Sequence, residues 1–579
     1  MRKIITAVLL AVLLTSGLLA GCEEVTVTGS GNLTTKTFNF SNFNKVEAAS
    51  GFQVELTKSS TFSVEITADD NLLEYIEVDK TGDTLRIIPK GNRIYSSVTF
   101  RAKITMPDLK KIDLSGGSRA NITGFSSSQD FSVELSGGSG IAGDITAGDA
   151  DFDLSGGSQV ALSGSADNLD VNGSGGSHLS LESFAANNAN IHLSGGGSAT
   201  VYVNGTLDVD LSGGSRVTYV GEPTLGNIDL SGDSTISKDE HAETRAALQG
   251  LIDQQVKEQD ILGMAMAVRL ADGTIIGKAS GYTDPSGEKA WSVDTVSALG
   301  SVTKTFTAVV VMQLVEDGKL SLDDTIDTWF PEQPNGDRIT IRMLLSHTSG
   351  IANYISGENV MEGKWTSEWA PLDLVAEANK SGPVGEPGGS DAHYSNTNYI
   401  LLGLIVEEIT GNSWAQEVES RIIEPPDLKD TTFLSTEGVW GGIMIEGYAK
   451  TPDGYISSLE LPWYPHSSTA WAAGEVVSTV SDLMTFASAL FDGKLVSRET
   501  LAVMAHPLGT DVDTGRLWGL GGATIEEVGP SFGMGGDIPG YHAFIIGLLD
   551  NKIVVTAMVN TQEGDVIMPS LSALQYISQ

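Results

Sequence analysis

Gly300-Ser301-Val302-Thr303-Lys304-Thr305-Phe306-Thr307-Ala308-Val309-Val310-Val311-Met312-Gln313-Leu314 places a serine and a lysine at the head of an apolar run. The run reads as a buried helix, because apolar residues occupy nearly every position rather than one stripe. In a helix, residues three apart share a face, so the Ser301 hydroxyl and the Lys304 amine are neighbours. A serine at a helix start has backbone N–H groups nearby that can stabilise an oxyanion. Lys304 can take the hydroxyl proton if burial or a nearby cation lowers its pKa. The same spacing recurs at Ser286-Gly287-Glu288-Lys289, but beside Pro285 in a turn-like segment, with no helix to fix it.

About ninety residues on, Tyr394-Ser395-Asn396 follows Glu386-Pro387-Gly388-Gly389 and precedes Tyr399-Ile400-Leu401-Leu402-Gly403-Leu404-Ile405, a second apolar helix. The loop can aim the Tyr394 phenol at the serine, where its oxygen acts first as base and then as acid to the leaving group. Tyr202-Val203-Asn204 repeats the spacing without that setting.

Outward from this pair the chain reads as an α+β domain over residues 244–579. Residues 242–258 form an amphipathic helix through Leu248, Leu251, Ile252 and Val256. Strands Met264 to Leu270 and Thr274 to Ser280 meet at Asp272-Gly273, and Ala543 to Leu549 and Ile553 to Val559 make a second hairpin. A last helix runs to Ile577. The expected architecture is an antiparallel sheet flanked by helices.

Residues 237–243 are a linker, and residues 22–236 follow a different grammar. Leu114-Ser115-Gly116-Gly117-Ser118 recurs at Leu135, Leu154 and Leu211, with variants at Ser174, Leu193 and Leu230. The period of roughly twenty residues is one solenoid rung. Alternating strands such as Phe131-Ser132-Val133-Glu134-Leu135 point leucines inward, glycine pairs make the turns, and serines at equal places can form ladders. The reading is an all-β, right-handed parallel β-helix, started or capped by residues 25–110. A calcium-binding solenoid requires a different, nonapeptide repeat.

The net charge of -40 and pI near 4.4 exclude a nucleic-acid partner, which needs a basic surface. One cysteine allows no intramolecular disulfide. No His-Glu-x-x-His or Cys/His cluster calls for a metal, and no cofactor is expected. Residues 1–21 read as an export signal, with Arg2 and Lys3 before an apolar stretch from Ile4 to Leu14.

Three resemblances sharpen these readings. Leu19-Ala20-Gly21-Cys22 resembles the bacterial lipobox, which implies lipidation at Cys22 and a membrane-anchored protein facing the extracytoplasmic side. The repeats, with Ile104-Thr105-Met106-Pro107-Asp108-Leu109, resemble the auto-transporter adhesin head domain family, whose name implies adhesion; the ligand is open. The C-terminal half resembles the serine hydrolases that include class C β-lactamases, D-alanyl-D-alanine carboxypeptidases and related esterases. Leu344-Leu345-Ser346-His347-Thr348-Ser349-Gly350-Ile351, Gly474-Glu475-Val476-Val477-Ser478-Thr479-Val480-Ser481-Asp482-Leu483, Ile409-Thr410-Gly411 and Pro539-Gly540-Tyr541 carry that likeness beside the two motifs.

By that resemblance Ser301 is acylated, Lys304 and Tyr394 activate it, and Asn396 binds substrate. The substrate is a small molecule or peptide, with cell-wall peptides among the candidates. His347 supports its loop rather than forming a Ser–His–Asp triad, and His393 is a bystander. The third motif of the family, a lysine or histidine, any residue, then glycine, aligns with Met534-Gly535-Gly536, followed by Asp537. Gly535 and Gly536 still permit close approach of substrate, and the Asp537 N–H can complete an oxyanion hole with that of Ser301. A thioether cannot pair with a substrate carboxylate, so weakened β-lactamase and carboxypeptidase activity is expected unless His542 or an arginine compensates. The rival reading is a surface-binding or adhesion protein with an inactive hydrolase-like half.

Overall fold

The computed structural model describes residues 26–91, 93–356, 366–389, 392–461, 466–505, 516–517, 520–525 and 529–578. The expected signal and Cys22 lie outside the described residues. The chain divides into two compact units, Met1–Ala242 and Glu243–Gln579.

In the first unit successive repeats pair in parallel and in register. Leu114, Leu135, Leu154, Gly173, Leu193, Leu211 and Leu230 follow one another as paired positions along one column. The leucines from Leu114 to Leu211 are buried, while every second residue points out, as the strand period of two requires. The interior adds aromatic contacts: the ring of Phe152 lies 6.4 Å from Phe131 and 6.1 Å from Phe184. At the corner, Gly116 and Gly117 have φ of 62° and 80°, a turn closed to most side chains.

The serines differ from the expected ladder. In five of the motifs the last serine is buried and closes its own turn: Ser118, Ser139, Ser158, Ser177 and Ser215 each donate to the carbonyl three residues back. The motif's first serine also bonds between rungs, as when Ser231 Oγ donates to the Leu211 carbonyl at 3.2 Å. A buried hydroxyl satisfies the nearest free acceptor, and the tight turn places one within its reach.

Residues 45–58 form a further rung, with Lys45–Ala49 and Gln53–Lys58 pairing in parallel on Lys111–Ser115 and Arg119–Ser126. Beyond it, Ser63–Asp69 runs antiparallel to both Leu33–Phe38 and Phe100–Met106. The early segment thus both starts the solenoid and ends its ladder.

The second unit is built on an antiparallel sheet. Its strands are β1 Gly263–Arg269, β2 Ile275–Gly281, β3 Arg516–Leu517, β4 Leu520–Ile525, β5 Gly529–Ile538, β6 Tyr541–Gly547 and β7 Val554–Val559, in the order β2-β1-β7-β6-β5-β4-β3. Alternation sorts the side chains onto two faces. Met264, Met266, Val268, Phe544 and Ile546 pack with helix α1, Ala242–Gln259, and the final helix α5, Ile567–Ile577. Ala265, Ala267, Met534, Ala543 and Ile545 face the larger core with α2, Thr303–Glu316, α3, Asn396–Thr410, and α4, Val480–Phe491. No helix among the described residues is long and apolar enough to cross a membrane.

Replacing the fully buried Phe152 by alanine removes a ring between two others. The solenoid is expected to lose about 3–5 kcal/mol in urea-induced unfolding, and a midpoint matching that of the wild type would contradict this packing.

Candidate active site

Helix α2 buries Thr303 through Met312 without a break. That burial carries Lys304 into the core with its ammonium end turned back toward the helix start. Lys304 Nζ donates to Ser301 Oγ at 3.0 Å and to the Ala473 carbonyl at 2.7 Å. Tyr394 OH donates to the same Ser301 Oγ at 2.7 Å. The two motifs, separated by 93 residues, therefore meet on one oxygen. Ser301 itself sits in a single 3₁₀ turn, Gly300–Val302, leading into α2. Desolvation holds the Lys304 pKa well below that of a free lysine, and no ion pair to it occurs among the described residues. A neutral amine at this position has a lone pair ready for the serine proton.

A polar brace holds the acceptor carbonyl in place. Thr307 Oγ1 donates to the Ala472 carbonyl at 2.7 Å and accepts from Trp414 Nε1 at 3.0 Å, while Thr303 Oγ1 accepts from Val476 N at 3.0 Å. Threonines repeated in an otherwise apolar helix are the sequence trace of this brace. The role of Ala473 leaves no trace, since it rests on a carbonyl that every residue owns.

Strand β5 closes the other side. Its residues 529–533 pair with β4 and residues 532–538 with β6, so from Met534 onward only β6 is paired. The remaining edge lies against the nucleophile's turn. A Cβ on Gly536 would come within 1.9 Å of the Leu299 carbonyl and 2.9 Å of Ser301 N, and one on Gly300 within 2.8 Å of Asp537 N. Only glycine allows this approach, which brings the amides of Ser301 and Asp537 into one neighbourhood. A Cβ on Gly535 would only touch the ring of its partner Phe544, at 3.7 Å, an ordinary contact.

Met534 is buried on the same face as the site helices. Asp537 pairs across the strands with His542, and their side chains form an ion pair. His542 Nε2 meets the Gln562 carbonyl at 2.8 Å, so both ring nitrogens are committed. His542 lies in register with Asp537 on the sheet face opposite Met534, so it does not replace the missing base. Its two acceptors raise its pKa against the opposing effect of burial, which is the largest single influence on it. Arg338 and Arg342 pair with Glu386 and Asp323.

Asn396 is the first residue of α3, nearly buried, with its N–H directed to Asn353 Oδ1 at 3.3 Å. His347 is no triad member: the side-chain partners of Ser301 Oγ are Lys304 and Tyr394. Its Nδ1 instead accepts from Ser395 N at 3.1 Å, and its carbonyl accepts from His393 N at 2.9 Å. The decoy serine, Ser286, bonds Asp284, and Tyr202 belongs to the solenoid. No cluster of three or more potential metal ligands occurs among the described residues.

Lys304 also makes stability depend on pH. Its folded pKa is depressed, so between that value and about 10.4 the unfolded chain binds more protons than the native one. The contribution of Lys304 to stability therefore improves as pH rises through this window. In denaturation at a series of pH values, the stability of wild type relative to Lys304→Met is expected to climb toward pH 10; a constant difference would mean a charged Lys304.

Residues 248–575 match the family model described as Beta-lactamase. Residues 42–223 match "Putative auto-transporter adhesin, head GIN domain". "Putative penicillin-binding protein PbpX" of Bacillus subtilis (strain 168) is 32% identical over 263 residues, 44% of this chain and 61% of that one. The chain thus spans less than two thirds of that relative. Penicillin-binding protein 4 of Amycolatopsis lactamdurans is 29% identical over 324 residues, 52% of this chain and 82% of that one. Among solved structures, D-amino acid amidase from Ochrobactrum anthropi SV3 complexed with D-phenylalanine aligns with a TM-score of 0.51 at 27% identity, over 58% of this chain and 99% of that one. The octameric penicillin-binding protein homologue from Pyrococcus abyssi aligns with a TM-score of 0.51 at 25% identity, over 57% and 77%.

Proposed function

Because the chain belongs to the beta-lactamase family through residues 248–575, we propose that it is a serine hydrolase acting on an ester, amide or peptide through an acyl-serine intermediate. The observation that carries this is one oxygen, Ser301 Oγ, held between the Lys304 amine and the Tyr394 phenol. Ser301 Oγ bonds to the acyl carbon while its proton passes to Lys304 Nζ. The carbonyl electrons move onto oxygen, toward the amides of Ser301 and Asp537. On collapse the leaving group takes the Tyr394 proton, and Lys304 returns its proton to Tyr394. Water then repeats the sequence on the acyl-serine and releases the acid.

The relatives are called penicillin-binding proteins and a D-amino acid amidase, and these names frame the substrate class. Buried Met534 at the third motif and the internal pairing of His542 disfavour substrates that need a cation for their carboxylate. Esters and amides without a free carboxylate, including D-amino acid amides, are the favoured class. Lipidation at Cys22 would hold the enzyme on the extracytoplasmic face of a membrane, with the β-helix as an accessory binding domain.

Protein lacking residues 1–22 is to be assayed on a chromogenic cephalosporin and on a short acyl ester in parallel. Ester turnover is expected to exceed cephalosporin turnover, and Ser301→Ala is expected to abolish fluorophosphonate labelling. Labelling that persists in Ser301→Ala removes the assigned nucleophile, and no labelling of the wild type favours an inactive binding protein. Met534→Lys is expected to raise kcat/KM for the cephalosporin by about tenfold, the effect of one modest charge-assisted contact. An unchanged value would show that position 534 does not govern carboxylate recognition.

A further inference from the structure

We infer that His347 is a positioning residue whose unprotonated Nδ1 holds the Tyr394 loop in its working place, so that protonation of this imidazole disengages the phenol from Ser301. The inference rests on the hydrolase reading for its catalytic consequence, and on geometry alone for the state of the ring.

The geometry is a directed chain of hydrogen bonds. Ile351 N donates to Ser349 Oγ at 3.1 Å, and Ser349 Oγ donates to Asn398 Oδ1 at 2.8 Å. With its oxygen committed to Ser349, the Asn398 amide presents Nδ2 to His347 Nδ1, at 3.3 Å. Ser395 N, a donor that cannot reverse, meets the same Nδ1 at 3.1 Å. Two donors thus converge on one ring nitrogen, which serves both only as a lone pair. An imidazolium carries N–H at both nitrogens and would set N–H against N–H in a buried site, since His347 is only 3% exposed. Ser395 adjoins Tyr394, and the His347 ring also packs on the Tyr394 ring with centroids 4.6 Å apart.

Among the described residues, the ring packs on Tyr394 in the loop before α3 and on Tyr399 of α3, at 4.6 and 5.3 Å. Lys304 of α2 stacks over both of these rings, at 5.0 and 5.7 Å. A positive charge at His347 would thus share its aromatic neighbours with that lysine. The backbone is committed as well: His347 has φ of 58°, in the left-handed region that asparagine also tolerates. Asparagine is therefore the conservative replacement, with Oδ1 standing where Nδ1 accepts and with no proton to gain.

Two measurements test this. In nitrogen NMR of the folded protein at neutral pH, His347 is expected as the Nε2–H tautomer with Nδ1 unprotonated. An Nδ1–H or doubly protonated ring overturns the inference even if the enzyme is active. In kinetics, His347→Leu is expected to lower the rate of Ser301 acylation by about 10²-fold through misplacement of Tyr394, with His347→Asn within a few-fold of wild type. The acid limb of log kcat/KM is expected to approach a slope of about two in the wild type, for Lys304 and His347, and about one in His347→Asn. Equal limbs in the two proteins, with circular dichroism showing both folded, overturn the gating role. Absent fluorophosphonate labelling in the wild type condemns the hydrolase reading and with it the kinetic consequence, while the tautomer stands or falls by the NMR.

Discussion

A lysine enclosed in a dry core is costly unless it sheds its charge, and the second unit is arranged around that cost. Lys304 lies on a helix whose neighbouring positions are nearly all buried, so its amine cannot reach water. Its hydrogen bonds go to Ser301 Oγ and the Ala473 carbonyl, neither of which supplies the negative charge that would keep an ammonium. In the proposed mechanism burial thereby supplies the base for the serine, and no histidine is called upon. The Thr307–Trp414 brace, the turn through Ala473 and the glycines at 300 and 536 all serve to hold this amine and its serine against one strand edge.

The same logic separates His542 and His347. His542 meets a carboxylate and a carbonyl, a pairing that suits the imidazolium. His347 meets two N–H donors at one nitrogen, a pairing that suits the neutral ring. Neither touches the nucleophile's oxygen. Each acts on the site through another residue: His542 by anchoring the strand at Asp537, His347 by anchoring the loop at Ser395. A histidine near a catalytic serine is thus read by what its nitrogens face, not by its proximity.

The solenoid answers a simpler constraint. Each rung exposes its two edges until another stacks on them, so the period of the repeat has to be kept and the first rung has to be finished differently. Residues 33–106 meet this need with antiparallel strands laid beside a parallel rung. The turn serines show how local the remaining accounts are, since each settles its hydroxyl on a carbonyl three residues away.

Sequence was sufficient wherever the signal was periodic. The twenty-residue repeat, the two apolar helices, both hairpins and the shared face of Ser301 and Lys304 were legible because spacing along a helix or strand decides which side chains share a face; the pairing with Tyr394-x-Asn396 came from the family resemblance and the helix that follows each motif. The substitution of Met534 for a base was equally plain, being a matter of identity. What no spacing reveals is which distant groups meet. That Ala473 lends its carbonyl to Lys304, that Asn398 orients toward His347, that His542 turns away from Met534, and that the turn serines bond within their own rung are decided by packing between segments far apart in the chain or by the course of a tight turn. Hydrogen-bond partners and sheet faces are properties of the closed fold, and only its tertiary structure assigns them.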